Sequence, residues 1–242
     1  MYAKTLIKLS LLFLNALFLN SVTCFAQPIP QKQQVIKTVN KISNPIVIER
    51  NGKYGYQKSN GKVLGKIMFD EADDDFHFGR ALVQISGKYG FVDTEGNLII
   101  KCIYDWKSYF SDGIAIVKLK DIYGGIDLFG KTVIEFQYEM AEGFSEGLCA
   151  VRIRGKWGFI DKLGNLKIEP IYDGFMSFSE GLSAVKFNNK WGFIDKSGKT
   201  ILDFKYDRVG NGGFEKGEAF VDIGDEEFLI DKKGKVKVRF TK

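Results

Sequence analysis

From residue 80 onward the chain returns again and again to a short stretch in which apolar and polar positions alternate. Small residues stand at Ala81, Ala115, Cys149, Ser183 and Ala219, and two places on comes valine each time, at Val83, Val117, Val151, Val185 and Val221. The next position of the same parity is apolar at Ile85, Leu119, Ile153, Phe187 and Ile223, while Gln84, Lys118, Arg152, Lys186 and Asp222 fall between. A period of two with one apolar face predicts a half-buried β-strand rather than a helix. A pair such as Asn51-Gly52, Ser86-Gly87, Arg154-Gly155 or Asn188-Asn189 follows, and residues that tolerate positive φ between two strand-like runs predict a hairpin. The returning strand reads Trp157-Gly158-Phe159-Ile160 and closes on an Asp-x-x-Gly turn, Asp161 to Gly164. In that turn an Asp oxygen can accept from backbone amides while Gly takes the left-handed position. A third, short, branched strand, such as Leu98-Ile99-Ile100, then runs into an aromatic–acid pair: Phe69-Asp70, Tyr104-Asp105, Tyr138-Glu139, Tyr172-Asp173 or Tyr206-Asp207.

Three glycine columns hold these elements in phase. One follows an aromatic residue at Gly55, Gly90, Gly124, Gly158 and Gly192, with Phe228 in the sixth slot. The turn glycines Gly61, Gly96, Gly130, Gly164, Gly198 and Gly234 repeat with the same steps of 35, 34, 34, 34 and 36 residues. The third column, Gly79, Gly113, Gly147, Gly181 and Gly217, begins at Asn44 and is preceded three residues earlier by a phenylalanine in every later repeat. Six repeats of about 34 residues are therefore expected. One repeat cannot stand alone. Three buried side chains on its first strand supply roughly 5–9 kcal/mol, against an ordering cost of about 1–2 kcal/mol for each residue, so neighbours must stack. The fold class is all-β, six three-stranded units in an open β-hairpin solenoid; a closed propeller-like ring is the alternative. Propeller blades are commonly four-stranded and about 40 residues or longer. Lys58 in the turn-Asp slot and Glu227-Phe228 in the aromatic–Gly slot mark the end repeats as caps.

The stretch Gly155-Lys156-Trp157-Gly158-Phe159-Ile160-Asp161-Lys162-x-Gly164 resembles the bacterial WG-repeat family, also called KWG repeats, named for the Trp-Gly dipeptide that recurs at Trp191-Gly192. Phe-Ser-Glu-Gly-Leu at 144–148 and 178–182 belongs to the same resemblance, and the first three repeats carry Tyr where the name has Trp. It covers residues 44–240 and implies a β-repeat protein, often exported or fused to other modules, with no established catalytic residues.

Residues 1–26 read as a signal peptide: Lys4 and Lys8 precede the apolar run Leu9–Leu19, and Cys24-Phe25-Ala26 offers small residues for cleavage after Ala26. A lipoprotein would use Cys24 instead, and a retained anchor would need about 20 apolar residues, which Asn15 and Asn20 interrupt. Residues 27–43, with Gln, Lys, Pro28 and Pro30, read as a flexible linker to the repeat domain at 44–242. An exported, periplasmic or extracellular location is expected, with no membrane span after cleavage. Loss of Lys4 and Lys8 takes the formal charge from +5 to +3 over 216 residues, too little and too evenly spread for nucleic-acid binding. Cys102 and Cys149 are an even pair in an exported chain, either bridged or two buried thiols.

The column Tyr54, Tyr89, Tyr123, Trp157 and Trp191 is the candidate ligand-binding surface, since regularly spaced rings can stack on sugars or extended peptides. The same rings could simply pack across the neighbouring strand. Asp70-Glu71 and Asp73-Asp74-Asp75 form an acidic cluster, but calcium takes six to eight oxygens, so no metal site is assigned. His77, between Phe76 and Phe78, is the single imidazole, which excludes any centre needing two. Ser145 and Ser179 sit in a repeated turn rather than a nucleophile motif, and no Gly-rich phosphate loop precedes a helix. The expectation is a non-catalytic module without cofactor that presents an extended surface to a protein partner in the cell envelope. Polysaccharide or peptidoglycan binding through the aromatic column is the alternative.

Overall fold

The computed structural model describes residues 44–210 and 212–241. The readings of a signal peptide and linker at 1–43 lie outside them. Every regular element described is a β-strand, and all strand pairing is antiparallel. Six sheets follow one another along the chain, at 46–69, 71–104, 110–138, 140–172, 174–206 and 208–241.

The three strands expected in each repeat are present, and the structure adds a fourth to sheets two through six. In sheet four the edge strand Met140–Ala141 pairs with Leu148–Ile153, which pairs with Lys156–Asp161, which pairs with Leu166–Tyr172. The extra strand is only two residues long, below any periodicity signal. It arises because the aromatic–acid pair turns the chain: the Glu139 amide donates to the Arg152 carbonyl, and Met140 and Ala141 then lie opposite Arg152 and Val151. The hairpin turns are as expected, with positive φ at both central residues of Asn51-Gly52, Ser86-Gly87, Arg154-Gly155 and Asn188-Asn189.

One expectation needs correction. In sheets two through five the first long strand is not half-buried but covered on both faces: in sheet four Leu148, Cys149, Ala150 and Val151 are all buried. Cys149 and Val151 pack back toward sheet three, in a cluster with Ile116, Ile134 and Tyr138. Leu148 and Ala150 pack forward with Phe159 and Ile168 onto Val185 and Ile194 of sheet five. Alternation therefore separates a backward from a forward neighbour, and polarity begins only at Arg152. Every interface is built this way, and six sheets share five such clusters. No core cluster or strand pairing joins the first sheet to the sixth among the described residues, so the array is open.

Gly158 is the hinge of the third strand. A Cβ there would meet the Ile168 carbonyl oxygen at 2.5 Å and the Pro170 nitrogen at 2.8 Å. The pairing shifts register between Trp157↔Tyr172 and Phe159↔Ile168, and this bulge is where Pro170 can lack an amide. The Asp-x-x-Gly turn then caps itself: Asp161 Oδ1 accepts from the amides of Leu163 and Asn165, both at 2.9 Å, and Gly164 takes φ +80.

Polar staples lock neighbouring sheets. Ser111, Ser145 and Ser179 donate to the carbonyls of Phe144, Phe178 and Phe214 in the following repeat, at 2.5, 2.6 and 2.7 Å. The acid beside each serine accepts from the next repeat's glycine amide and pairs with its lysine: Glu146 with Gly181 and Lys196, Glu180 with Gly217 and Lys232. The acid of the aromatic–acid pair makes a second staple. Asp70 pairs with Lys53 of its own hairpin and accepts from the Ser86 amide in the next, and Asp207 joins Lys190 to Gly224 in the same way.

Two outcomes follow. Gly158→Ala should cost about 1–3 kcal/mol, as overpacking does, and lower the midpoint of urea unfolding without changing the strand content seen by circular dichroism. The second concerns acid. Burial opposes ionisation of Asp161, but the Asn165 side chain and the turn amides outweigh it and hold the carboxyl down from 3.8 to about 2. A folded value below the unfolded one means stability is full above about pH 4 and is lost as pH falls through about 2. Urea midpoints measured across that range should fall toward acid, with a shallower fall in Asp161→Asn.

Candidate functional site

The aromatic column occupies equivalent places at the five sheet interfaces. Tyr54, Tyr89, Tyr123, Trp157 and Trp191 are each half-buried and packed against the cluster shared with the following sheet. The Trp157 ring lies 4.4 Å, centroid to centroid, from Phe175 on the next sheet's edge strand, and Trp191 approaches Gly174 on the edge strand of its own sheet.

The exposed aromatics lie elsewhere. Trp106 and Tyr109 are 65% and 46% exposed, on the connection from Tyr104 to the edge strand Phe110–Ser111. At the corresponding places the later repeats have Met140 and Gly143, Gly174 and Ser177, and Arg208 and Asn211. This connection departs from the repeat. Trp106 is also the one tryptophan of three that stands outside the Trp-Gly slot, a signal the sequence carried and column-wise reading passes over.

Next to it in sequence, Lys107 lines a cleft of about 330 Å³ with Glu71, Asp73, Asp74, Gln84 and Tyr89, while Trp106 itself lines an open hollow with Gln84, Tyr89, Asp105 and Lys107. A second hollow, about 290 Å³, continues past Trp106 and Tyr109 to Tyr123 and Glu142. The structure thus brings two members of the column, Tyr89 and Tyr123, to the flanks of Trp106, and leaves Tyr54, Trp157 and Trp191 outside both hollows. Lys107 stands between them, 3.0 Å from Glu71 Oε2 and 5.9 Å above the Tyr89 ring. The hydrogen bond that Lys107 donates to Glu71 raises the Lys107 pKa, so this ammonium stays charged and is paired.

The far wall is acidic and braced. Tyr56, a buried hydroxyl, donates to the Asp73 carbonyl at 2.7 Å, and the Asp75 amide donates to Asp73 Oδ1 at 3.2 Å. Burial first, and then its hydrogen bond to Asp73, raise the Tyr109 pKa. His77 packs edge-on against Tyr109 with ring centroids 5.4 Å apart. Asp73, Asp74 and Asp75 can bring three carboxylate oxygens within 4.8 Å of one another. Three ligands from consecutive residues, two of them exposed, fall well short of a calcium shell.

The nucleophile candidates are committed to structure. The Ser145 and Ser179 hydroxyls donate to carbonyls of the next repeat. Cys102 and Cys149 are both free thiols in different interfaces. Burial pushes Cys149 up to about 12, and its Sγ donates to the Glu142 carbonyl at 3.1 Å, the role Ser183 plays toward Met176 one repeat later. What the region offers chemically is a carboxylate-lined cleft with the Tyr89 ring on its wall, adjoining a hollow lined by Trp106, Tyr109 and Tyr123.

Among solved structures the chain is similar to a eukaryotic initiation factor, with 10% identity, 81% of this chain and 73% of that one covered, and a TM-score of 0.51. It also aligns with Hsv2p of Kluyveromyces lactis, at 11% identity over 78% of this chain and 71% of that one, with a TM-score of 0.46. Apo AztD of Citrobacter koseri aligns at 12% identity over 83% and 73%, with a TM-score of 0.43. Identities this low speak to fold alone, and only the first alignment is close enough to do so. No curated protein matches the chain.

A thiol reagent should leave Cys149 untouched in the native protein and modify it only in denaturant. Prompt native reaction would contradict its burial.

The family signature "WG containing repeat" matches five times in tandem, at 54–89, 89–121, 123–157, 157–191 and 191–225. With its interlocked sheets and its Trp-Gly column, the chain belongs to the WG-repeat family.

Proposed function

We propose that the protein is an exported, non-catalytic interaction module of the cell envelope whose cleft at Trp106 holds a basic segment of a partner protein. The observation that supports this reading is the departure from the repeat itself. Sheet packing explains the recurring residues, but it does not call for an exposed Trp106 and Tyr109 on a connection whose Tyr109 hydrogen-bonds Asp73 and whose Lys107 shares a cleft with Asp73 and Asp74. Aromatic faces and carboxylates together suit Lys and Arg side chains, through cation–π contact and ion pairing. The chain as a whole carries formal charge +5, so this acidic wall is a local feature rather than a general one.

A glycan reading rests on the same exposed indole, which could stack on a sugar ring. The two differ in their response to salt. A basic ligand should lose affinity as ionic strength rises, whereas stacking on a neutral sugar should not.

Titration with Lys/Arg-rich peptides, matched acidic peptides and neutral envelope oligosaccharides, followed by tryptophan fluorescence, tests the proposal. Basic peptides should bind in a salt-sensitive way, and Trp106→Ala should weaken them roughly tenfold or more. Trp157→Phe should leave binding intact. Binding of neutral oligosaccharide alone, insensitive to salt and lost in Trp106→Ala, would replace the protein reading with the glycan one.

A further inference from the structure

The two ends of the array are the two halves of its repeated interface. In sheet five Ala184, Phe193 and Leu202 face forward and are covered by Ala219, Val221 and Ile230 of sheet six. The same repeat positions in sheet six are Phe220, Leu229 and Val238, paired across its three long strands and therefore on one face. No seventh sheet covers this face among the described residues. Phe220 is 45% exposed and Val238 42%, and Phe240 joins the patch with its ring 6.0 Å from that of Phe220. An end repeat built as a cap would carry polar residues here. Instead a phenylalanine replaces the alanine that the two preceding repeats place at this position.

The opposite end carries the other half. Ile46 and Ile48 stand where Ala219 and Val221 stand in sheet six, on the face that would meet a preceding sheet, and Ile46 is 48% exposed. The charges beside the two patches are opposite. Arg50, in no ion pair among the described residues, and Lys53, paired with Asp70, lie on the first sheet's outer face, and Glu218 and Glu227, likewise unpaired among them, lie on the sixth sheet's.

We infer that the occupant of the sixth sheet's outer face is the first sheet of a second copy, so that molecules join head to tail and continue the interface already used five times within each chain. Two sixth sheets meeting face to face would oppose Glu218 and Glu227 to themselves, which disfavours a symmetric dimer. A contact between unlike surfaces leaves a further end free and builds chains of molecules. This is independent of the cleft at Trp106, which lies on sheets two and three.

Sedimentation velocity over a wide concentration range tests it. Wild-type protein should form species of growing mass as concentration rises. Phe220→Glu and Ile46→Glu should each stay monomeric, because each blocks one half, and their mixture should form a dimer that grows no further. Both positions are largely exposed, so both variants should melt like the wild type; should Phe220→Glu not fold, Val238→Glu replaces it. A wild type monomeric at every concentration, whether closed on itself or covered by its own residues 1–43, overturns the inference. So does Ile46→Glu that still dimerises alone, which would mean a symmetric contact, and so does a mixture that remains monomeric.

Discussion

Each sheet of this protein has two apolar faces and no means of covering either. That constraint organises everything else. The first long strand of a repeat is buried on both sides at four consecutive residues, as Leu148 to Val151 show, so half of its core belongs to the sheet before and half to the sheet after. Stability is then a property of interfaces rather than of repeats. The conserved phase of the sequence is the phase of those interfaces, since a repeat that slipped would present its polar fifth position to a neighbour's core.

The polar columns serve the same end. A serine hydroxyl on the neighbour's phenylalanine carbonyl, an acid on its glycine amide and a lysine on that acid form a ladder running from repeat to repeat. Such exposed ion pairs add little energy one at a time. Their geometric effect is larger, because they fix the offset between sheets whose apolar contacts are not directional. The ladder breaks where its sequence breaks. His77 and Phe78 replace the serine and the acid in the second repeat, and Glu215 and Lys216 replace them in the sixth.

In a molecule whose regular residues are accounted for by packing, binding chemistry is sought among the irregular ones. The Trp106 connection departs from the repeat on sheets two and three, and the acidic run Asp73 to Asp75 departs from it on the neighbouring connection. The two departures meet where Tyr109 hydrogen-bonds Asp73 and where Lys107 lines both hollows. The aromatic column, by contrast, is tied to the interfaces, and only Tyr89 and Tyr123 take part in the cleft because they flank the irregular connection.

The sequence by itself determined the repeat length, the all-β class, the hairpin and Asp-x-x-Gly turns and the family, because these depend on local backbone requirements that recur in phase. A glycine column, a pair of residues able to take positive φ and an alternating strand can each be read from a few adjacent positions. Tertiary structure decided the rest. The two-residue edge strand is too short to have a period, and it exists only because the next repeat offers an unpaired edge. Burial on both faces depends on neighbours about 34 residues away on either side, so the alternation at Ala81 or Cys149 looked one-sided until both neighbours were in place. The cleft needed residues from two connections, around 73 and 106, that only the stacking of sheets brings together.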